Sequence, residues 1–315
     1  MTIRPGTDIA GYRVDRVLGS GGTGIVCLAQ SPSDALPVAL KLINSDLPAD
    51  PVFRSRFVNA ARLARGLDHP AVVSTLDLGE TVGGQLWMTM PFVEGPSPDG
   101  PSLDGPSLDG PSLDGPDADR QLRAGRMSPE RALRVVRRIA EALDHIHDRE
   151  IVHGDVKPAN FLLGRRLCGT GDERVFLADF SLARRLGDRD PLGAAGMVLV
   201  SAAYAAPEAL HGEPLDARAD VYSLGCSLFR LLTGKPPFFD AGSKAETVRM
   251  QLHSNPPSAV RFATWLPDRI DDVIATSMAK DPDARYRSAG ALAAAAGLAL
   301  GLKASPARAS RCRPR

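Results

Sequence analysis

Residues 153–160 read HGDVKPAN and bring an aspartate, a lysine and an asparagine together in one short segment. Asp155 can accept the proton of an attacking hydroxyl group, and Lys157 can balance the charge of a transferred phosphoryl group. Asn160 offers an oxygen of the kind that Mg²⁺ prefers. The order and spacing of these three side chains predict a loop that carries out phosphoryl transfer, in a fold that holds a nucleotide beside it.

The composition of the chain argues against several other classes of protein. The chain has 315 residues, 43% of them hydrophobic, which is enough for one large domain or for two lobes with their own cores. A formal net charge of +1 argues against nucleic acid as the main partner. Four cysteines without paired spacing predict neither a zinc site nor a disulfide framework, as in a reducing cytoplasm.

The sequence predicts no transmembrane segment. The N-terminus has no apolar signal segment. The longest apolar run, at 289–302, is rich in alanine and shorter than the roughly 20 residues that a membrane helix needs. This run therefore predicts a packed final helix, and the chain as a whole is expected in the cytoplasm.

Residues 1–90 are predicted to be rich in β-structure. Strand-like runs lie at 12–30, where glycines divide two of them, and at 37–43 and 86–93. The glycine-rich segment GSGGTGIV at 19–26 can bring backbone amides close to phosphates. A β-like sequence follows it, which favours a hairpin over the helix of a dinucleotide-binding fold.

One helix is predicted to interrupt these strands. Asp50 can cap it, Pro51 suits its first turn, and Gly66 ends it. Apolar residues at helical spacing form one stripe on this helix. The stripe consists of Phe53, Phe57, Ala60, Ala64 and Leu67.

Residues 96–116 repeat the motif PSLDG with a period of five. Proline and glycine in every repeat exclude a helix, and the few leucines cannot build a core, so a mobile insertion is predicted. Residues 303–315 carry basic side chains and no acid. A solvated, disordered tail is the favoured interpretation, with a weak contact to an anionic surface as the alternative.

The chain after the insertion is predicted to be mainly helical. A helix starts at Ser128, an apolar helix lies at 219–234, and further helices occupy 243–302. A short strand at 175–180 ends in Asp179, which offers a carboxylate for a second metal contact.

Seven segments of this sequence resemble the bacterial branch of the eukaryotic-like serine/threonine protein kinases, over roughly residues 10–302. These segments are LGSGGTGIV at 18–26, VALK at 38–41, HGDVKPAN, ADFS at 178–181, AAPE at 205–208, DVYSLGC at 220–226 and DPDARY at 281–286. The resemblance implies an α+β, two-lobed protein kinase-like fold over residues 12–302, with ATP and Mg²⁺ in the cleft. It implies a small β-rich lobe with one main helix at 12–90, a hinge at 91–95, the insertion at 96–116, a larger helical lobe at 117–302 and the tail at 303–315.

The resemblance also implies a role for individual residues. Asp155 would be the catalytic base, Lys157 and Lys41 would stabilise phosphate charge, and Asn160 and Asp179 would hold the metal. The ATP site would comprise Leu18, Gly19, Gly21, Gly24, Val26, Ala39, Lys41, Met90, Pro91, Val93 and Leu162. Ser201 would lie on the substrate side, Glu208 would pair with Arg285, and Asp220 would brace the catalytic loop from below.

Three residues depart from the family pattern. Ala60 stands where the helix carries a glutamate that pairs with the strand lysine, Gly154 replaces an arginine that receives an activation-loop phosphate, and Ser181 replaces a glycine. Residues 182–200 contain no serine, threonine or tyrosine, so that arginine would have no phosphate to bind. Ala60 is expected to face the Lys41 strand, and a glutamate in its place is expected to pair with Lys41 and speed catalysis.

The sequence therefore predicts an ATP- and Mg²⁺-dependent serine/threonine protein kinase that acts on protein substrates. One contact to a charged group contributes about 1.5–3 kcal/mol, so loss of the helix glutamate should weaken catalysis without abolishing it. The alternative is a pseudokinase, a nucleotide-binding or scaffold module that Ala60 favours. A kinase of small molecules is a more distant alternative. Regulatory input would come from a partner protein.

Overall fold

The computed structural model of the chain describes residues 3–33, 36–45, 47, 51–95, 117–164, 173–188 and 201–302. Within these residues the strands form one six-stranded sheet and two short ribbons. The strands are β1 (Asp8–Ile9), β2 (Tyr12–Gly21), β3 (Gly24–Gln30), β4 (Pro37–Ile43), β5 (Asp77–Glu80), β6 (Leu86–Pro91), β7 (Ile151–Val152), β8 (Phe161–Gly164), β9 (Arg174–Leu177) and β10 (Arg184–Arg185).

The large sheet is antiparallel, with the order β1-β2-β3-β4-β6-β5. β4 lies inside the sheet, and every residue from Val38 to Ile43 is buried, as expected for a strand covered on both faces. The register places Lys41 between Val26 of β3 and Met88 of β6. A lysine in the middle of a buried strand needs an anionic partner, since burial of a lone charge is costly.

The helix between β4 and β5, α1, spans Pro51–Arg65 and ends before Gly66, as predicted. The apolar stripe at helical spacing is buried along its length. Phe53 and Phe57 pack in a cluster with residues of the large sheet, whereas Ala60 belongs to the main core of the helical part. Ala60 is therefore surrounded by a different set of apolar residues from those around the two phenylalanines. The predicted cap, Asp50, falls outside the described residues.

The rest of the described chain is mainly helical. Its helices are α2 (Ala118–Ala124), α3 (Pro129–His147), α4 (Pro207–His211), α5 (Ala217–Thr233), α6 (Lys244–His253), α7 (Arg269–Ser277) and α8 (Ala289–Ala299). The Ser128 side chain caps α3 as predicted, and α5 is buried over most of its length. α3 packs against α5 and α8, and this packing forms the centre of the large core.

The small β-rich part with one main helix and the larger helical part confirm the predicted α+β, two-lobed fold. The PSLDG repeat, the segment 189–200 and the basic tail fall outside the described residues. Among the helices that the structure describes, none is long and apolar enough to cross a membrane.

Candidate active site

The HGDVKPAN loop lies between β7 and β8, and its polar side chains contact one another. The Lys157 ammonium is 2.6 Å from Asp155 Oδ2. The Asn160 side-chain amide donates to the Asp155 backbone carbonyl at 2.7 Å and to Asp155 Oδ2 at 3.1 Å. Asp155 is thus fixed by two neighbours from its own loop, and its carboxylate is held beside a cation.

Asp220, in the first turn of α5, contacts the backbone of this loop. Its Oδ2 accepts from the backbone N–H of His153 at 2.8 Å, and its Oδ1 accepts from that of Gly154 at 2.9 Å. His147 Nε2 lies 2.8 Å from Oδ2. Burial opposes the ionisation of Asp220, but the hydrogen bonds and the charge of His147 outweigh it and lower the pKa of this carboxyl group below its usual range.

His153 is a second residue that holds the loop in place, and the sequence alone did not predict this role for it. Its Nδ1 accepts from the Asp155 backbone N–H at 3.2 Å, so Nε2 carries the proton and donates to the Ala178 carbonyl at 3.1 Å. Its ring lies edge-on to Phe180, with 4.7 Å between the ring centres. Burial lowers the pKa of His153, which keeps the imidazole neutral. Its position in the sequence, directly after the apolar pair Ile151 and Val152 and two residues before Asp155, could have indicated a buried supporting role.

Gly154 occupies a backbone conformation that favours glycine, with φ of +77°. A Cβ atom there would lie 3.1 Å from the Leu182 carbonyl oxygen. The glycine thus fits the left-handed region without strain and allows the loop to approach Leu182 closely.

The Lys41 ammonium forms an ion pair with Asp179, the residue that precedes the turn Phe180–Leu182. Lys41 Nζ is 2.6 Å from Asp179 Oδ1 and 2.7 Å from Oδ2. Burial opposes the ionisation of Asp179, but the charge and hydrogen bonds of Lys41 outweigh it and hold the pKa of Asp179 well below its usual range. Lys41 therefore has a carboxylate partner although Ala60 offers none.

The segment that carries Lys41 also brings together residues that were predicted to bind ATP. The register pairs Ala39 with Met90 and Val38 with Pro91, so β4 and the end of β6 adjoin there. The apolar side chains predicted to line the ATP site belong to one cluster. Ala39 and Met90 are its buried members, and Leu18, Val26, Val93 and Leu162 pack against it.

The glycine-rich segment forms the β2–β3 hairpin, as predicted, rather than a strand followed by a helix. Gly24 is required for packing, because a Cβ atom there would lie 1.9 Å from the Leu42 carbonyl oxygen. A Cβ atom at Gly21 would meet no atom within 4 Å, so no described residue packs against this side of the glycine. Next to Gly19, the Arg120 guanidinium of α2 donates to the Leu18 carbonyl.

Ser201 and the AAPE segment lie on the other side of the catalytic loop. Lys157 Nζ donates to Ser201 Oγ at 2.7 Å, so one lysine joins Ser201 to Asp155. The buried Glu208 forms a bidentate ion pair with Arg285, whose two terminal guanidinium nitrogens donate to the two carboxylate oxygens at 2.6 and 2.8 Å. The second contact joins the two residues, Glu208 and Arg285, that the resemblance paired.

The donor set at Asn160 and Asp179 fits a magnesium ion. The Asn160 side-chain nitrogen donates to Asp155, so its carbonyl oxygen is the atom that it can offer to a cation. Asp179 is ionised at neutral pH, since its pKa is lowered. The Ala178 backbone N–H donates to the backbone carbonyl of Asn160 at 2.9 Å, which links the two segments that carry these ligands and leaves the side-chain oxygen of Asn160 out of this contact. Mg²⁺ keeps water and phosphate oxygens, so two protein ligands suffice.

Comparison with known proteins agrees with this geometry. Residues 12–295 match the family described as the protein kinase domain. The serine/threonine-protein kinase PknJ of Mycobacterium tuberculosis is 46% identical over 296 residues, which cover 94% of this chain and 46% of PknJ. The serine/threonine-protein kinase PknF of the same species is 38% identical over 307 residues, which cover 97% of this chain and 60% of PknF. The chain thus spans about half the length of these relatives.

A crystal structure of the Mycobacterium tuberculosis PknI kinase domain matches with a TM-score of 0.70 and 30% sequence identity, covering 94% of this chain and 99% of that one. A double mutant of the same domain matches with a TM-score of 0.74, again at 30% identity, covering 96% of this chain and all of that one. Because the match extends across both the β-rich and the helical parts, this chain belongs to the protein kinase family, among the bacterial eukaryotic-like serine/threonine kinases.

Proposed function

We propose that this chain transfers the γ-phosphoryl group of ATP to serine or threonine hydroxyl groups of proteins, with Mg²⁺ as cofactor. One observation carries the proposal: Lys157 bridges the carboxylate of Asp155, at 2.6 Å, and the hydroxyl of Ser201, at 2.7 Å. This contact places a base and a cation together beside the segment that would receive the acceptor. Phosphoryl transfer requires a base and a cation at the acceptor hydroxyl group, whereas nucleotide binding alone requires neither at this position.

In this mechanism Asp155 accepts the proton of the acceptor hydroxyl as its oxygen attacks the γ-phosphorus. The bond from that phosphorus to the bridging oxygen of ADP breaks, and Lys157 balances the charge on the transferred group. Mg²⁺, held by Asn160 and Asp179, would neutralise charge on the phosphates. Lys41 holds the α- and β-phosphates from the side of the large sheet.

The ATP site would be lined by the apolar cluster of Ala39 and Met90, with the Pro91 carbonyl and the Val93 N–H as partners for adenine. Gly19, Gly21 and Gly24 form the hairpin that would cover the phosphates. A cytoplasmic location and control by a partner protein complete the proposal. The domain would extend over 12–302, with lobes at 12–90 and 117–302 joined by 91–95.

The pseudokinase alternative has lost its main support. It rested on Ala60, which leaves Lys41 without the usual helix carboxylate. In the structure Asp179 pairs with Lys41 at 2.6 Å, so the lysine has a fixed carboxylate partner without the helix. Incubation of the purified chain with γ-labelled ATP, Mg²⁺ and a generic basic protein tests the proposal. Labelled phosphoserine or phosphothreonine is expected in the acceptor, and its absence at every enzyme concentration would favour the pseudokinase.

A further inference from the structure

The Ser181 hydroxyl group contacts both members of the ion pair in the active site. Its Oγ donates to Asp179 Oδ1 at 2.8 Å and accepts from Lys41 Nζ at 3.5 Å. Ser181 is only 5% exposed, so this hydroxyl group is directed inward rather than into solvent. We propose that Ser181 is a positioning residue that fixes Lys41 and Asp179 for ATP, and that it compensates for the missing carboxylate at Ala60. The proposal rests on the kinase function proposed above.

The local backbone explains why a serine can act here. Asp179 has left-handed dihedral angles, with φ of 64° and ψ of 69°, and its side chain does not cap the turn Phe180–Leu182 that follows. Ser181 is not among the residues with positive φ in the described chain, so a Cβ atom there causes no backbone strain. The turn brings the Ser181 hydroxyl group back to the carboxylate of Asp179, two residues earlier in the chain. A glycine at position 181 has no side chain to make this contact.

The charges of the site explain why the hydroxyl group is needed. Lys41 is 3% exposed, and a buried ammonium group requires a fixed anionic partner. Ala60 is 1% exposed and offers no carboxylate, so the partner of Lys41 is Asp179. Both Asp179 oxygens contact Lys41, and the Ser181 hydroxyl adds a contact that does not depend on the lysine. The carboxylate thereby has a second anchor that limits its rotation.

Variants Ser181→Ala and Ser181→Gly remove this hydroxyl group, and their affinity for ATP tests the proposal. The dissociation constant of ATP is measured by calorimetry in Mg²⁺ and in EDTA, beside the KM values for ATP and for the protein acceptor. We expect both variants to bind ATP roughly tenfold more weakly, the effect of one hydrogen bond to a charged group. The KM for the acceptor and the melting temperature should stay close to the parent values.

Ser277→Ala is the matched control, because Ser277 is a fully buried serine whose hydroxyl group donates to the backbone carbonyl of Ile274. It should leave ATP affinity unchanged. Unchanged ATP affinity in both Ser181 variants would overturn the proposal. So would a loss of melting temperature with lower kcat and constant KM for ATP, which indicates a structural role. Calorimetry measures ATP binding without turnover, so it tests the role of Ser181 even if the parent protein proves inactive. An inactive parent would contradict only the proposed kinase function.

Discussion

The guanidinium group of Arg120 reaches from helix α2 to the backbone carbonyl of Leu18, with both terminal nitrogens 3.4 Å from the oxygen. The same side chain pairs with Asp117, the residue that caps α2, at 3.3 Å. Since Leu18 leads into the glycine-rich hairpin, Arg120 joins helix α2 of the helical lobe to this hairpin of the β-rich lobe. This contact could not be predicted from local sequence patterns, because Arg120 and Leu18 are 102 positions apart in the chain.

Arg120→Ala should release nucleotide faster than the parent. One hydrogen bond to a carbonyl group contributes about 0.5–1.5 kcal/mol to the free energy that holds the hairpin against helix α2. Because the hairpin is expected to cover the phosphates, its loss should raise the dissociation rate of ADP roughly two- to tenfold. Stopped-flow displacement of a fluorescent ADP measures this rate. Arg123→Ala, on the same helix and paired only with Asp119 among the described contacts, is the control and should change nothing. Equal rates in all three proteins would mean that Arg120 does not restrain the hairpin.

Asp155→Asn should abolish phosphoryl transfer and leave ATP affinity within about threefold of the parent. The base acts on the acceptor hydroxyl and not on the nucleotide, and the Asn160 contact to the backbone carbonyl of residue 155 survives the change. Transfer to a protein acceptor and calorimetric binding of ATP measure the two effects. Transfer at the parent rate would remove Asp155 from the catalytic role.

Phosphatase treatment should leave the activity of the purified chain within about twofold of the untreated value. Residues 182–200 contain no hydroxyl side chain, and Gly154 offers no guanidinium group to bind a phosphate. Activity is measured on the same preparation before and after treatment, once the phosphatase has been removed. A large decrease would identify a regulatory phosphate elsewhere in the chain.

Ala60→Glu should destabilise the fold without raising the rate. The sequence alone predicted a gain, since a glutamate at this place could pair with Lys41. In the structure Ala60 is almost fully buried in an apolar cluster, and Lys41 already pairs with Asp179. A carboxylate there should lower the free energy of unfolding by about 1–3 kcal/mol. Chemical denaturation and steady-state kinetics measure both effects, and Ala60→Gln separates the added volume from the charge. A rate increase of tenfold with unchanged stability would restore the sequence-based interpretation.

Asp220→Asn should lower the free energy of unfolding by about 3 kcal/mol at neutral pH, because an amide cannot accept from both backbone N–H groups and His147. The folded-state pKa of Asp220 is lowered, so its stabilising effect is present above the unfolded pKa of about 3.9 and is lost as pH falls through the folded value. The difference between variant and parent should therefore shrink in acid. Denaturation curves at several pH values measure it, with the exposed Asp240→Asn as control. A difference that is constant with pH would contradict the role of the Asp220 charge.

Much of the site could be predicted because its groups lie close together in the sequence. Asp155, Lys157 and Asn160 occupy one loop, and their contacts follow from local spacing. The stripe on α1 and the caps of the helices were equally local. The Lys41–Asp179 pair and the contact of Arg120 with the hairpin could not be read from the sequence, since each joins segments that meet only in the folded chain. What surrounds Ala60 could not be predicted either, because a stripe gives the buried side of a helix but not which neighbour covers each residue.

The ion pair of Lys41 joins the sheet to the turn after β9, and helix α1 takes no part in it. In a kinase whose lysine depends on a carboxylate of this helix, an outward swing of the helix breaks the pair and turns the enzyme off. Here such a swing would leave the lysine paired. The position of α1 therefore cannot act on the lysine through a carboxylate of that helix, and its route to the ion pair is the packing of α1 against the turn Phe180–Leu182, which follows Asp179.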